Sequence, residues 1–318
     1  NRIDQSVMVY RQSRQDFTQF SLLKITTHEA KYINKYPLND LTAVRATVSL
    51  RNDRLVALST DYFNLAEKNQ DKYWGSGKVE YVYDNTIATG LNLKNGFRYK
   101  FFAEVFDQIS EKKNLLIVFG FDARHYLKVY KQMIWANRIA GSTGAGDAKL
   151  IYYLGGVDNA ITPVVNFDNT IRIDNTKNYV FQTLATNMRG FKQNIRNGSS
   201  FTLWNSELRI PIFQVLSGRP LRSDFFRSFQ LIAFTDVGTA WSGTSPWSPD
   251  NNLNLDIIQT GPLTITVKKN TDPIVAGFGW GMHARVLGYF MRADWGYGYA
   301  DNVLAKKPLF NFSLGLDF

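Results

Sequence analysis

The sequence has no cysteine among its 318 residues. That absence excludes a disulfide framework and thiolate metal ligands, and it suits an oxidising envelope compartment without requiring one. Long apolar runs are also missing, since the longest uninterrupted run, residues 115–119, is far shorter than the roughly 20 residues that a membrane-spanning helix needs. A helical membrane protein is therefore excluded. A transmembrane barrel is not, because its strands alternate lipid-facing and interior residues and so keep the average hydropathy low.

Residues suited to catalysis or metal binding are few. The three histidines, His28, His125 and His283, are far apart, and none has ligand spacing with a carboxylate. The sequence has no Gly-x-Ser-x-Gly elbow, phosphate-binding loop or dinucleotide fingerprint. We therefore expect no catalytic residue, no metal and no cofactor, and we expect that any enzymatic activity of a longer protein would lie outside this chain.

The chain carries 37 basic and 27 acidic residues, a formal net charge of +10. Such a balance can mark a nucleic-acid binder. Here the basic residues are scattered among strand-like segments and do not cluster on a helix. We therefore expect no nucleic-acid partner, and interpret the charge as a basic interior, or as a surface that faces anionic lipid or an acidic client.

Alternation of apolar and polar residues predicts a long series of antiparallel strands. In residues 78–84, Val79, Tyr81 and Tyr83 lie at one parity, and the charged residues Lys78, Glu80 and Asp84 lie at the other. Near the amino terminus the pattern predicts short strands at 7–10, 17–27, 41–50 and 55–63, with turns at 11–15 and 51–54. Residues 115–129 and 131–140 are predicted to form an adjacent pair. Six aromatic residues are expected to face lipid: Trp135, Trp204, Trp280, Trp295, Tyr81 and Tyr99.

The predicted connections alternate between short and long. The long ones lie near residues 28–40, 64–76, 142–200, 242–273 and 298–307. Antiparallel strands that cross a bilayer produce this alternation when one side has turns and the other has loops. A soluble β-sandwich would not need such consistency. The alternation places the carboxy terminus on the periplasmic side, because the last strand must run inward from an outer loop.

The glycines near the end of the chain form a stripe. Gly277, Gly279 and Gly281 share one face of a predicted strand, opposite Phe278 and Trp280. Such a stripe allows the close approach of another segment inside a barrel, or it marks a strongly bent sheet. Both interpretations remain open from the sequence.

The segment 187–238 carries the most specific pattern. It contains the tetrad Met188-Arg189-Gly190-Phe191, then an alternating run with Glu207, then Phe-Thr-Asp-Val-Gly at 234–238. Together with the terminal Phe318, this pattern resembles the carboxy-terminal barrel of the BamA/TamA outer-membrane surface-antigen superfamily. Members of that superfamily fold other proteins or move them across outer membranes. The resemblance is best over residues 131–318 and weaker over 83–130.

The resemblance implies roles for particular residues. The tip of a long outer loop, here Met188, Arg189, Gly190 and Phe191, would fold back into the barrel lumen. Arg189 would dock there on two inward-facing acids, Glu207 and Asp236. An inward Asp236 also turns Phe234 and Gly238 inward, with Gly238 leaving room for the loop. The final strand would carry the signal by which outer-membrane barrels are recognised for assembly, in the residues Phe310, Phe312, Leu314, Leu316 and Phe318.

The resemblance also implies a fold and a domain arrangement. The fold would be all-β, a transmembrane antiparallel β-barrel of sixteen strands, of which about a dozen are counted here. We therefore expect one barrel domain, residues 1–318, that lacks its first strands and the amino-terminal periplasmic modules, usually POTRA domains. The chain opens on Asn1 without a signal peptide, so we expect that processing or truncation removed the true start.

Three classes of function follow from these expectations. The first is a bacterial outer-membrane protein that assembles or translocates other proteins through a lateral seam, without a cofactor. Its partners would be outer-membrane lipid, unfolded or partly folded outer-membrane protein clients, and accessory envelope subunits. The second class is a passive pore or channel, and the third is a surface-exposed anchor barrel. The sequence leaves the clients, the accessory subunits and the oligomeric state undetermined.

Overall fold

The computed structural model describes residues 3–17, 22–58, 69–109, 114–161, 179–217, 221–249, 251–260, 263–268 and 271–316. Within them the strands are β1 Asp4–Phe17, β2 Leu22–Pro37, β3 Thr42–Leu58, β4 Gln70–Asp84, β5 Ile87–Gly90, β6 Leu93–Gln108, β7 Leu115–Tyr130, β8 Met133–Gly146, β9 Lys149–Leu154, β10 Tyr179–Leu184, β11 Arg196–Gly198, β12 Ser200–Ile210, β13 Gln230–Trp241, β14 Leu255–Thr260, β15 Leu263–Lys268, β16 Val275–Val286, β17 Tyr289–Ala300, β18 Val303–Leu304 and β19 Leu309–Leu314. The helices are α1 Ile212–Leu216, α2 Asp224–Ser228 and a 3-10 turn, Asn252–Asn254. None of these helices is long and apolar enough to cross a bilayer.

The principal sheet contains 14 strands in the described part of the chain. Its order follows the chain from β1 to β4, then β6, β7, β8, β12, β13, β16 and β17, with β19 paired to β17. The two remaining strands, β5 and β18, are short. Two small sheets lie in the long connections, namely β10-β9-β11 between β8 and β12, and the hairpin β14-β15 between β13 and β16. The fold is therefore all-β, as expected.

The strand boundaries near the amino terminus differ from the sequence prediction. Residues 11–15 were expected to form a turn but lie inside β1, and residues 51–54 lie inside β3. The prediction of a long loop at 28–40 is wrong, because β2 continues to Pro37 and a four-residue link leads to β3. Residues 70–76, expected in a connection, belong to β4. The segment 59–68 lies outside the described residues.

A pair of charges explains one of these errors. Arg51 and Asp53 occupy the same face of β3, and their side chains are 2.9 Å apart. The Thr27 hydroxyl also donates a hydrogen bond of 2.6 Å to Asp53. A polar cluster that predicts a turn can therefore occupy the middle of a strand when its charges are paired on a buried face.

Most of the later connections agree with the prediction. Two residues separate β7 from β8, and long connections join β8 to β12 and β13 to β16. One link is longer than expected, because 19 residues with α1 and α2 join β12 to β13. The chain divides into two compact units. The first comprises residues 1–83, 101–119 and 145–148, and the second comprises 84–100, 120–144 and 149–318.

The first unit buries charge on one sheet face. Glu29, Asp53 and Glu80 are each at most 6% exposed, and the opposite face presents apolar residues such as Val48 and Val79 to the outside. Lysine and arginine side chains pair with the buried acids. For example, the Lys78 ammonium group lies 3.3 Å from the Glu80 carboxylate on the same strand. Buried charge with exposed apolar residues is typical of a transmembrane β-barrel.

The second unit also has buried charges on one sheet face and exposed apolar residues on the other. Its outer face carries a row of residues placed side by side by the strand register: Trp135, Leu208, Ala233, Trp280, Trp295 and Phe310. The Trp280 and Trp295 rings stack at 4.5 Å between centroids. Of the aromatic residues expected to face lipid, Trp135, Trp204, Trp280 and Tyr81 are at least 40% exposed, and Trp295 and Tyr99 are half-buried. Their contact with lipid stays a prediction.

Candidate functional site: a loop-tip arginine on the inner sheet face

The tip of the connection between β8 and β12 lies buried in the second unit. Met188, Arg189 and Phe191 are each at most 7% exposed. Gly190 has a φ of +88°, a conformation that glycine adopts without steric cost. A side chain at Gly190 would also lie 2.7 Å from the carbonyl group of Tyr297. The tip is therefore shaped by a glycine that needs both this backbone conformation and this close approach.

Arg189 is the centre of the site. Its Nε donates a hydrogen bond of 2.8 Å to Oδ2 of Asp236, and its Nη2 donates one of 2.8 Å to Oδ1. Nη1 donates a third bond of 2.6 Å to Oε1 of Glu207. The backbone N–H of Arg189 also donates to Asp236 Oδ2, at 3.0 Å. The fork to Asp236 is a planar, bidentate pairing of the kind that arginine forms with carboxylates.

Strand periodicity turns the two acids towards the arginine. Asn205 and Glu207 lie on alternate positions of β12, directly opposite Asp236 and Phe234 of β13. Because successive side chains of a strand point to opposite faces, all four share the inner face. Asn205 completes the site, since its Nδ2 donates to Asp236 Oδ1 at 2.8 Å. The same amide donates to the carbonyl of the residue before Met188, which also fixes the loop backbone.

Arg209 extends the network along β12. Its Nε donates a hydrogen bond of 2.8 Å to Glu207 Oε2, the oxygen that Arg189 does not use. Its Nη1 donates to the carbonyl of Asn92 at 3.0 Å. Glu207 therefore lies between two arginines, and each of its oxygens accepts from one of them.

Phe234 adds an aromatic contact. The guanidinium carbon of Arg189 lies 3.8 Å from the centroid of the Phe234 ring. A cation over an aromatic face is attracted by the ring quadrupole, and more strongly when water is excluded. Burial alone lowers the pKa of Arg189, but Asp236 and then Glu207 outweigh burial and raise the pKa above its ordinary value. The side chain is therefore charged throughout the physiological pH range.

Glycines of β16 and β17 form the surface on which the tip lies. A side chain at Gly277 would lie 1.9 Å from the Arg189 carbonyl oxygen, and one at Gly296 would lie 2.6 Å from the Gly190 nitrogen. A side chain at Gly298 would meet the Phe191 ring at 2.6 Å. The segment that approaches Gly277 is thus the loop tip. Gly279 and Gly281 instead make room for atoms of β17, at 2.0 and 2.1 Å.

Gly238 has a different neighbour from the one expected. It lies on the inner face with Asp236, but a side chain there would meet the Leu203 side chain at 2.9 Å. Leu203 belongs to β12, so Gly238 leaves room for the neighbouring strand and not for the loop tip.

The last strand lies at an edge of the principal sheet. β19 pairs with β17 from Leu309 to Leu314, and Asn311 and Ser313 are buried on its inner face. The predicted apolar face includes Phe310 and Leu316, which are 45% and 55% exposed, and the half-buried residues Phe312 and Leu314. Phe318 lies outside the described residues.

The histidines lie in unrelated surroundings. His28 is exposed on β2, and His125 stacks on Phe97 at 4.2 Å between centroids. His283 is buried, and its Nε2 lies 2.9 Å from Oδ1 of Asp294. Within the described residues no three His, Cys, Asp or Glu side chains are grouped so that they could hold a metal ion.

The sequence pattern indicated only part of this site. Arg209 shares the face of Glu207, and Gly296 and Gly298 share a face of β17, so alternation alone could have suggested them. Asn205 is placed by the same rule, two positions before Glu207. No sequence signal indicates that Asp158, far from β17 in the chain, lies 2.6 Å from Arg292.

Comparison with known proteins agrees with this architecture. No protein-family model and no curated protein sequence matches the chain. The crystal structure of BamA from Haemophilus ducreyi lacking POTRA domains 1–3 matches with a TM-score of 0.57 and 11% identity, over 98% of this chain and 58% of that one. CdiB from Acinetobacter baumannii matches with a TM-score of 0.54 and 10% identity, over 99% of this chain and 47% of that one. The chain has the fold of these barrels, as the resemblance implied, and spans about half of their length.

Proposed function

We propose that this chain is the carboxy-terminal part of an outer-membrane barrel that inserts or translocates other proteins. It would act without a cofactor or a catalytic step, through a seam at its last strand, and its carboxy terminus would face the periplasm. An exposed strand edge can hand backbone hydrogen bonds to an incoming strand by β-augmentation. The clients would be unfolded or partly folded outer-membrane proteins, and accessory envelope subunits would assist.

The observation that carries this proposal is the docked loop tip. Arg189 is 3% exposed, and both of its carboxylate partners lie on the inner sheet face. A passive pore needs an open interior, and a loop held there by a buried charge network narrows it. A surface anchor would leave its loops outside. The docking contact is of the kind that the resemblance to assembly and translocation barrels implies.

The outer row of aromatic residues supports the membrane location. Trp135 and Trp280 are more than 40% exposed, on the face opposite the buried charges. Exposed rings of this kind are costly in water and favourable at the interface of a bilayer. We therefore propose outer-membrane lipid as the surroundings of this face.

Depletion of the protein in its own organism tests the proposal. We expect the loss of many different outer-membrane or secreted proteins, measured by quantitative mass spectrometry of the envelope. Loss of the uptake of one nutrient would instead identify a channel. Loss of cell adhesion alone, with an unchanged envelope proteome, would identify a surface anchor.

A further inference from the structure

The last strand, β19, forms backbone hydrogen bonds along both of its edges. β17 pairs with one edge, and the long connection before β12 occupies part of the other. There the Phe312 carbonyl accepts a hydrogen bond of 2.9 Å from the Ile161 N–H. The Leu314 N–H donates one of 3.2 Å to the Asn159 carbonyl. These two bonds are those of an antiparallel strand pair.

Residues 158–161, which we call the edge segment, are also held by a side chain. Arg292 of β17 is 4% exposed, and its Nη2 donates a hydrogen bond of 2.6 Å to Asp158 Oδ1. Its Nε donates to the Ser313 hydroxyl at 3.0 Å. Ser313 is the β19 residue that lies opposite Ala160 of the edge segment. One buried arginine therefore joins the edge segment to the strand that it covers.

The edge segment is connected to the docked loop tip. The Asp158 N–H donates a hydrogen bond of 2.7 Å to the Asn187 side chain. Gly156 forms a bridge with Met188, whose N–H donates to the Gly156 carbonyl at 2.9 Å. The Gly156 N–H donates in turn to the Phe191 carbonyl at 3.1 Å. The bonds lie within two residues of Arg189, so the arginine contact and the edge contact belong to one bonded unit.

The contact at the edge is short. It uses the backbone groups of Phe312 and Leu314, whereas a longer strand could also pair with Phe310, which shares their orientation by alternation. An unpaired strand edge is a template for any other chain, and native proteins commonly cover such edges. The edge segment contacts β19 through only three of its residues, 159–161, so it protects the edge and can still be displaced by a strand that forms a longer ladder.

We propose that the edge segment is an internal cover for the edge of β19 that receives a client strand. Through one antiparallel bridge, between Ala160 and Ser313, it occupies part of the β19 edge that an incoming client strand would take. The client is an extended polypeptide with alternating apolar and polar residues, and its binding displaces residues 158–161 and loosens the attached loop tip. This inference rests on the proposed function, because it assigns the covered edge to client binding.

A disulfide tests the inference. Because the native sequence has no cysteine, two introduced cysteines can form only one disulfide within the chain. Ala160→Cys with Ser313→Cys joins two residues directly opposite each other. They form a pair flanked by the two hydrogen bonds, in which side chains approach closely enough for a disulfide. The probe is a synthetic peptide with the sequence of residues 308–318 and a photocrosslinking residue at its position 310. It is added to the purified full chain in detergent, and its attachment to β19 is mapped by mass spectrometry.

We expect crosslinking to β19 to fall about tenfold or more when the disulfide is oxidised and to return on reduction, because a covalent bond prevents displacement of the cover. Equal crosslinking in the oxidised and reduced forms would overturn the cover and leave the seam of the proposed function intact. No crosslinking to β19 in any form would overturn both.

A second variant avoids the buried serine. Asp158→Asn weakens the bond to Arg292 and should raise crosslinking about threefold or more, since a neutral acceptor binds a guanidinium less strongly than a carboxylate does. Asp301→Asn is the matched control, because Asp301 is also half-exposed and pairs with a buried arginine, Arg196, at 2.7 Å. Its crosslinking should stay at the wild-type level. Equal crosslinking in the two variants would overturn the role of Arg292 in holding the cover.

Discussion

At the scale of single residues, Arg189 combines deep burial with a full charge. Its guanidinium donates three hydrogen bonds to two carboxylates, and its side chain is 4% exposed. Removing such a charge from water is costly, and the pairing repays the cost only when the geometry is good. Loss of one partner leaves the other as an unpaired buried charge. The residues of this network should therefore be far more sensitive to substitution than ion pairs on the surface.

Arg189→Ala should lower the free energy of unfolding by about 3–5 kcal/mol, because Asp236 and Glu207 lose their common partner. Urea unfolding in detergent, followed by tryptophan fluorescence, measures the change. Arg227→Ala is the matched control, since Arg227 pairs with Asp224 where both side chains are 61% exposed. That variant should lose less than about 1 kcal/mol. Equal losses in the two variants would contradict a buried pairing at Arg189.

Exchanging the two charges, Arg189→Asp with Asp236→Arg, should restore part of the stability that either single change removes. Recovery should be incomplete, because Asp236 also accepts hydrogen bonds from Asn205 and from the loop backbone. If the double variant loses as much stability as the two single variants together, the two side chains do not interact.

Gly277→Ala should destabilise the protein by about 1–3 kcal/mol, because its methyl group would collide with the backbone of the loop tip. Gly77→Ala is the control, since no atom other than those of the residue itself and its two chain neighbours lies within 4 Å of the added methyl group. Its effect should stay within about 0.5 kcal/mol. The same unfolding assay compares the two variants, and a harmless Gly277→Ala would exclude the close approach of Arg189.

At the scale of elements, the sequence predicted the later strands better than the first ones. From β7 onwards, turn residues and strong alternation separate the strands clearly. In β2 and β3, polar residues continue through strands of 16 and 17 residues, and paired charges such as Arg51 with Asp53 resemble turns. Local polarity cannot distinguish a solvated turn from a buried ion pair, because the difference depends on a neighbouring strand.

The outer aromatic row yields a prediction at this scale. Trp280→Phe should lower the fraction of tryptophan fluorescence that is quenched by lipids with brominated acyl chains, because the Trp280 ring stands on the outer face. Trp247→Phe should raise that fraction, since Trp247 is 64% exposed in a connection beyond β13. The same change of the quenched fraction in both variants would contradict the lipid-facing assignment of Trp280.

At the scale of the whole molecule, the resemblance supplied what alternation could not. Alternation places Glu207 and Asp236 on inner faces, but it does not bring Arg189 to them across 18 and 47 positions of sequence, respectively. That approach depends on glycines in β16 and β17 and on the fold of a long connection. The pairing of Asn159 and Ile161 with the last strand has no sequence signal, because it uses backbone groups that every residue possesses.

We have proposed that the docked loop serves the assembly or translocation of other proteins. The most direct test replaces the native protein in cells by Arg189→Ala or by the control Arg227→Ala, at equal and verified amounts in the outer membrane. Quantitative mass spectrometry then measures the proteins of the envelope. We expect a decrease of many different outer-membrane or secreted proteins with Arg189→Ala and none with Arg227→Ala. An unchanged envelope in both strains would contradict it.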